Sequence, residues 1–427
     1  MILIYCKEIF DKLMITRKNP LFFWINSLHK TTFFTVLTLI LIGIIVSFSL
    51  SYAASEKVGL KGVTFFSKHL VFTGVAVIMI IAISMQSTST LKWICFIGII
   101  GVLCAIIMTL FGGEIKGSRR WINFGGFSIQ PSEFLKPLYI YIFSLIFANL
   151  EGLKLKQESL KVFHILLFGL HFIINLLLFL QPDFGMILTF NLLFLALFYI
   201  NLNSIKSFFL GGLLLGFCAA FIGFFLEHVK FRIKTFFFGL ENYQSKLAFE
   251  AIQNGGFFGS GFAESKLKFT LPEAHNDFIF AILIEEFGFI FVAILGLVFL
   301  LLVFSNFVYI FDFKEKLTKM FAKINYTSET TDESTIISII KKNYKQQNAK
   351  KYLNIYIDFL FTRNFIFLTS VLLIFEFFLN ASVSLNLAPT KGIAMPFISY
   401  GGSSLVSHGI LIGLLLAFNR KRYFFLI

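Results

Sequence analysis

The chain has 427 residues, of which 57% are hydrophobic and only 14% charged, with 37 Lys and Arg against 23 Asp and Glu for a formal net charge of +14. A soluble domain carries roughly a quarter charged residues, and several apolar runs here pass the roughly 18 residues that cross a bilayer, so a soluble enzyme is excluded. The basic excess argues for no nucleic-acid partner, because Lys and Arg collect in the loops of membrane proteins that stay in the cytoplasm.

Residues 1–31 (MILIYCKEIFDKLMITRKNP at the start) have too short an apolar core and no small-residue cleavage site for a removable signal peptide, so they read as a cytoplasmic lead-in. Ten spans follow, at roughly 32–53, 69–85, 92–111, 133–149, 160–180, 183–202, 207–226, 278–304, 362–385 and 403–418. The predicted fold is all-α, a polytopic membrane bundle of ten helices over 32–420 with a cytoplasmic tail at 421–427. Basic clusters orient it: Lys7, Lys12, Arg17 and Lys18 near the start, IIKKNYKQQNAKK within 305–361, and Arg420, Lys421 and Arg422 near the end. The positive-inside rule then puts both termini in the cytoplasm. Segments 112–131, 227–277 and 386–402 become large outer loops, and they hold most of the clustered Gly, Pro and polar residues. The polar 305–361 insertion becomes a cytoplasmic loop near anionic headgroups.

Between the third and fourth spans stands GGEIKGSRRWINFGGFSIQPSEFLKP. Arg119 and Arg120 precede Trp121, a residue type that favours the membrane interface. Glu133 and Lys136, three apart at a helix start, share a face and can pair. Each charge costs roughly 2.5–3.5 kcal/mol inside a membrane, so both must find a partner or a wet cavity. A structural ion pair and a substrate-facing role stay equally open. On the fifth span, His164 and His171 lie seven apart on one face, with no Cys or carboxylate to complete a ligand set, and read as packing residues. The sixth span opens on QPDFG, where Asp183 at a helix start reads first as a cap.

The four cysteines (Cys6, Cys95, Cys104, Cys218) have no framework spacing, so neither a disulfide nor a zinc site is expected. GGFFGSG invites a phosphate-loop reading, but GxxxxGK[ST] occurs nowhere. In PEAHNDFIFAILIEEFGFI a single carboxylate, Asp277, stands at the mouth of the eighth span. Lys391, Ser399, Tyr400, Gly401, Gly402, Ser403 and Ser404 gather at the mouth of the last, where Ser403 has no His and Asp partners for a serine hydrolase.

GSRRWINFGGFSIQPSEFLKP, QPDFG, NGGFFGSG followed by PEAHNDFIFAILIEEFG, and PTKGIAMPFISYGGSSL resemble, in order, the signature blocks of the shape, elongation, division and sporulation (FtsW/RodA/SpoVE) family. The similarity covers essentially 32–422, and PTKG with PEAHNDF is more similar to the division branch than to the elongation branch. Three departures stand out. EFFLNAS has Glu376 and Ser382 where the family has Gln and Gly, Asn276 replaces the usual Thr, and the 305–361 loop is long.

The resemblance implies a peptidoglycan glycosyltransferase that polymerises lipid II on the outer face of the bacterial plasma membrane, at the division septum. Asp277 is the implied catalytic residue. Arg119, Arg120, Glu133, Lys136, Lys391 and Ser399 are the implied substrate and diphosphate residues. Pyrophosphate leaves without protonation, so one base and nearby cations suffice, unlike the two carboxylates of glycoside hydrolysis. No cofactor is required, although a divalent cation (Mg2+ or Mn2+) could share the diphosphate duty. The implied partners are lipid II, the nascent glycan strand, membrane lipid, a class B penicillin-binding protein with transpeptidase activity and other divisome proteins. An elongation polymerase, a lipid II flippase and a recruiting scaffold are the alternatives. A flippase needs a polar path through the midplane, and few charged side chains are expected there.

Overall fold

The computed structural model describes residues 20–57, 64–114, 118–124, 127–156, 161–202, 243–325, 349–388 and 393–420. A short helix α1 (Pro20–Ser27) leads into α2 (Lys30–Lys57), α3 (Thr64–Met85) and α4 (Thr88–Leu110). An antiparallel hairpin of β1 (Ile122–Phe124) and β2 (Phe127–Ile129) precedes α5 (Pro131–Lys156), α6 (Lys161–Leu180) and α7 (Phe184–Leu202). Then come α8 (Tyr243–Gly255), α9 (Ile279–Asn325), α10 (Ala349–Ser384) and α11 (Gly402–Phe418). Eight of these helices are long and apolar enough to cross a membrane, and α11 is a further apolar helix of 17 residues. The seventh expected span, 207–226, lies outside the described residues, and each of the other nine coincides with a helix.

The structure differs from the sequence reading in three segments. The outer segment 227–277 is not all loop, because α8 occupies part of it. Leu247, Ala248, Ala251, Ile252 and Gly255 give α8 one buried face at helical spacing. The segment 112–131 contains the β1–β2 hairpin, whose register pairs Ile122 with Ile129 and Phe124 with Phe127. The 305–361 insertion is helical at both ends, since α9 runs on to Asn325 and α10 starts at Ala349. Asp312–Lys316 and Glu315–Lys319 pairs, each four residues apart, support that extension of α9.

Two polar tiers bracket the apolar bundle. At one end Thr32 of α2 donates to Asn306 of α9 (3.0 Å), which also accepts from Asn419 (2.6 Å). At the other, Ser49 of α2 donates to Glu286 of α9 (2.6 Å), which pairs with Lys268 (2.9 Å). At 1.5 Å per residue the tiers are about 26 Å apart along α2 and about 30 Å along α9, the thickness of a bilayer's hydrocarbon core. Between them α5 forms the centre of the bundle, with 72% of its apolar stretch buried against 17% for α6. The exposed Ile165, Phe168 and Phe172 of α6 suit a lipid-facing surface.

Helix α9 breaks where the upper tier crosses it. Gly288 has φ 80 and ψ 173, which interrupts the helical hydrogen bonds. In lipid no exposed peptide group can find water, so the freed groups need protein partners. The chain after α8 supplies them: Ser260 N donates to Glu285 O (2.8 Å) and Gly261 N to Glu286 O (3.1 Å), while Phe289 N donates to Gly256 O (3.0 Å). The approach is close enough that a Cβ on Gly259 would lie 2.3 Å from Glu286 O, which explains a glycine there. The Glu285–Glu286 step of α9 is therefore a docking point for the GGFFGSG segment.

Candidate active site

Asp277 sits in the turn of residues 272–278, directly before α9. Asn276 N and Asp277 N both donate to Glu273 O (3.0 Å each). The turn is pinned from two other elements. Asn276 O accepts from Asn380 Nδ2 of α10 (3.2 Å) and from Ser399 Oγ (3.0 Å), and Tyr400 N donates to His275 O (2.9 Å). The half-buried Asp277 carboxyl is thus carried on backbone held by α10 on one side and by the 399–400 segment on the other. Beside the turn lies a narrow recess lined by Ser47, Ser51, Phe65, His275, Ile279 and Tyr400, among others. Burial pushes the Tyr400 phenol up from its ordinary value, so it keeps its proton at neutral pH.

A second half of the site is built on the hairpin and the starts of α5 and α7. Arg120 pairs with Asp183 (3.3 Å) and donates to the carbonyl of Pro182. Asp183 also caps α7, accepting from Met186 N (3.4 Å), and receives Gln130 Nε2 (3.3 Å). The capping role expected of Asp183 is present, and the arginine pair is added to it. Arg120 remains 29% exposed while Asp183 is almost closed off, so the guanidinium is the group that faces outward. Arg119 is exposed and donates to Leu110 O (3.2 Å), tying the hairpin to the end of α4.

Residues 399–403 join the two halves. Ser399 and Tyr400 hold the Asp277 turn, while Ser403 Oγ accepts from Gln130 N (3.0 Å). Four residues span at most about 14 Å, so the segment that holds the Asp277 turn and the one that holds Gln130, beside Asp183 and Arg120, are close together. Gly401, whose φ of −170 is ordinary extended backbone, begins the turn into α11.

Two expected substrate residues have other duties. Ser399 is buried, and both capacities of its hydroxyl are used, donating to Asn276 O and accepting from Met395 N (2.9 Å), so it positions the loop. Lys136 is buried between Glu133 (2.7 Å) and Glu376 (2.6 Å), and its charge is engaged by carboxylates inside the bundle instead of lying in a wet cavity. The expected Glu133–Lys136 pair is present. Lys391 lies outside the described residues. His171 is a packing residue, hydrogen-bonded to Tyr139 (3.0 Å) and stacked on Phe194 (3.9 Å).

Sequence reading missed Glu376 and His408 as one group. Glu376 Oε2 lies 2.6 Å from His408 Nε2. His408 is about 16 Å above Asn419 along α11, near the middle of the bundle. Charged side chains therefore reach deeper than the sequence suggested. On α11 the polar column stops there, since Gly409 to Phe418 reads GILIGLLLAF.

The fold and site define a polytopic α-helical membrane protein with Asp277 and Arg120 at the same end of the bundle. The chain belongs to the FTSW_RODA_SPOVE family of cell cycle proteins, whose model matches residues 29–328 and 352–423. It is 31% identical over 393 residues to the probable peptidoglycan glycosyltransferase FtsW of Caulobacter vibrioides, covering 90% of this chain and 87% of that protein. It is 30% identical over 399 residues to the probable peptidoglycan glycosyltransferase FtsW of Trichlorobacter lovleyi, covering 89% and 90%. Among solved structures, a chain from a peptidoglycan synthase complex of polymerization and crosslinking matches with TM-score 0.63 at 19% identity, covering 93% of this chain and 99% of that one. The rod shape determining protein RodA of Thermus thermophilus matches with TM-score 0.55 at 21% identity, covering 93% and 98%. At these identities the solved structures support the fold.

Proposed function

We propose that this protein polymerises peptidoglycan, joining lipid II disaccharide-peptide units into a glycan strand with release of undecaprenyl diphosphate. Its place would be the outer face of the bacterial plasma membrane, at the division septum, as the names of the FtsW relatives suggest. Asp277 takes the proton from the 4-hydroxyl of the acceptor GlcNAc. The freed oxygen attacks the anomeric carbon of the donor, the C1–oxygen bond breaks, and the diphosphate leaves with the electron pair. Arg120, with Arg119 beside it in sequence, balances the charge that develops on the diphosphate, a duty the family resemblance also gives to Lys391. No resident cofactor is needed, and an Mg2+ or Mn2+ ion would arrive on the diphosphate. Lipid tails would run between the spans below the upper polar tier. A class B penicillin-binding protein is the partner that this product chemistry calls for, since free strands need crosslinking.

The observation that carries this reading is the backbone clamp on Asp277: three hydrogen bonds from Asn380, Ser399 and Tyr400 hold the two residues before it. A scaffold would have no use for such fixation of one acid. Asp277→Asn protein reconstituted with lipid II should stay folded and make no glycan strand, and strands at the unmodified rate would overturn the assignment. A flippase would instead move labelled lipid II across vesicles without polymer in either protein.

A further inference from the structure

Four titratable side chains from three helices meet inside the bundle. Lys136 Nζ of α5 lies 2.7 Å from Glu133 Oε2 and 2.6 Å from Glu376 Oε1 of α10. The second Glu376 oxygen lies 2.6 Å from His408 Nε2 of α11. Lys136, Glu376 and His408 are each no more than 2% exposed. One lysine facing two carboxylates leaves an excess negative charge, which is costly where no water screens it.

The imidazole can supply the balance. His408 Nδ1 lies 2.7 Å from the carbonyl oxygen of Ser404, an atom that only accepts. A bare nitrogen lone pair at that distance would be repelled, so Nδ1 carries a hydrogen. Nε2 faces a carboxylate oxygen at 2.6 Å, and two lone pairs cannot meet there either. A second proton therefore lies in this contact, whether nearer to nitrogen or to oxygen. With it, two positive and two negative groups cancel.

The cluster is also tied to the cationic half of the site. Glu133 and Lys136 stand in the first turns of α5. Glu133 N donates to Gln130 O (3.2 Å), and Gln130 reaches Asp183, which holds Arg120. We propose that Glu376 and His408 act as one neutral unit sharing a proton, and that His408 is thereby a positioning residue for Arg120. The shared proton leaves the Lys136 charge to Glu133, which fixes the start of α5 and the Gln130–Asp183–Arg120 chain above it. The kinetic part of this inference rests on the glycosyltransferase reading; the shared proton does not.

The test uses the full-length chain with His408→Asn, Glu376→Gln and both together. Asparagine keeps a hydrogen-bond donor but takes no charge, so His408→Asn leaves Glu376 uncompensated and should lower the melting temperature in detergent by several degrees. Glu376→Gln removes the charge that His408 answers and should cost less. The double variant should return to the level of Glu376→Gln. Additive losses in the double variant, or no loss in His408→Asn, would overturn the shared proton. If His408→Asn yields no folded protein, recovery of folded protein in the double variant supports the unit and its failure sinks it. With lipid II, His408→Asn should raise KM several-fold more than it lowers kcat, with recovery in the double variant. A drop in kcat at unchanged KM would overturn the link to Arg120. Melting rescue alongside an unmodified protein that makes no polymer would instead count against the glycosyltransferase reading alone.

Discussion

Ser399 shows how a side chain can matter to a reaction it never touches. Its hydroxyl joins the buried Met395 N to Asn276 O. Replacing it by alanine strands Met395 N and leaves Asn276 O to Asn380 alone, at about 1–3 kcal/mol. Ser399→Ala should therefore lower the melting temperature and cut polymerisation roughly tenfold by loosening the Asp277 turn, with the Asp277→Asn background showing the melting effect alone. An unchanged rate would separate this serine from the base. The family resemblance placed Ser399 at the substrate, in a polar run at a helix mouth. It could not reveal the burial, which depends on α10 and the 272–278 turn arriving from distant parts of the chain. Glu133 and Lys136 were legible as a pair because they are three apart on one helix. Glu376 and His408 were not, because only the packing of α10 on α11 brings them together.

At the scale of elements, the start of α5 illustrates a helix repaired by its neighbour. Pro137 has no N–H to give to the carbonyl of Glu133, and Ser407 Oγ of α11 donates to that oxygen instead (2.6 Å). Ser407→Ala should destabilise the protein by about 1–3 kcal/mol. Adding Pro137→Ala restores an amide hydrogen at the right place, so thermal unfolding of the double variant should recover most of the loss; no recovery would mean the serine acts otherwise. The span pattern made nearly all these helices readable in advance, because uninterrupted apolar runs leave few alternatives in lipid. The exceptions carried weaker signals. The β1–β2 hairpin was announced by the Gly-Gly pair in INFGGFSI, a turn signal between short strands, and α8 by apolar residues at helical spacing in a segment otherwise rich in polar groups.

For the whole molecule, sidedness is the property that a helix bundle alone leaves open, and the proposed orientation rests on the basic clusters. Phe258 and Lys319 are both exposed and lie toward opposite ends of α9. In a chain with its cysteines replaced, a membrane-impermeant maleimide added to intact protoplasts should label Phe258→Cys and leave Lys319→Cys unlabelled until the cells are opened. The reverse pattern would place Asp277 in the cytosol and end the polymerase reading. The two polar tiers add a constraint of a different kind. They are joined by rigid helices, so the protein has a fixed hydrophobic height, and α11, at 17 residues, is the shortest helix that coincides with an expected span among the described residues. A thicker membrane would have to dimple around that side or draw the mouth of the recess toward the acyl chains, at fractions of a kcal/mol per Å of mismatch. Such a strain falls on the helix that carries both Ser403 and His408, so lipid chain length becomes a dial acting on the enzyme from outside its own chemistry.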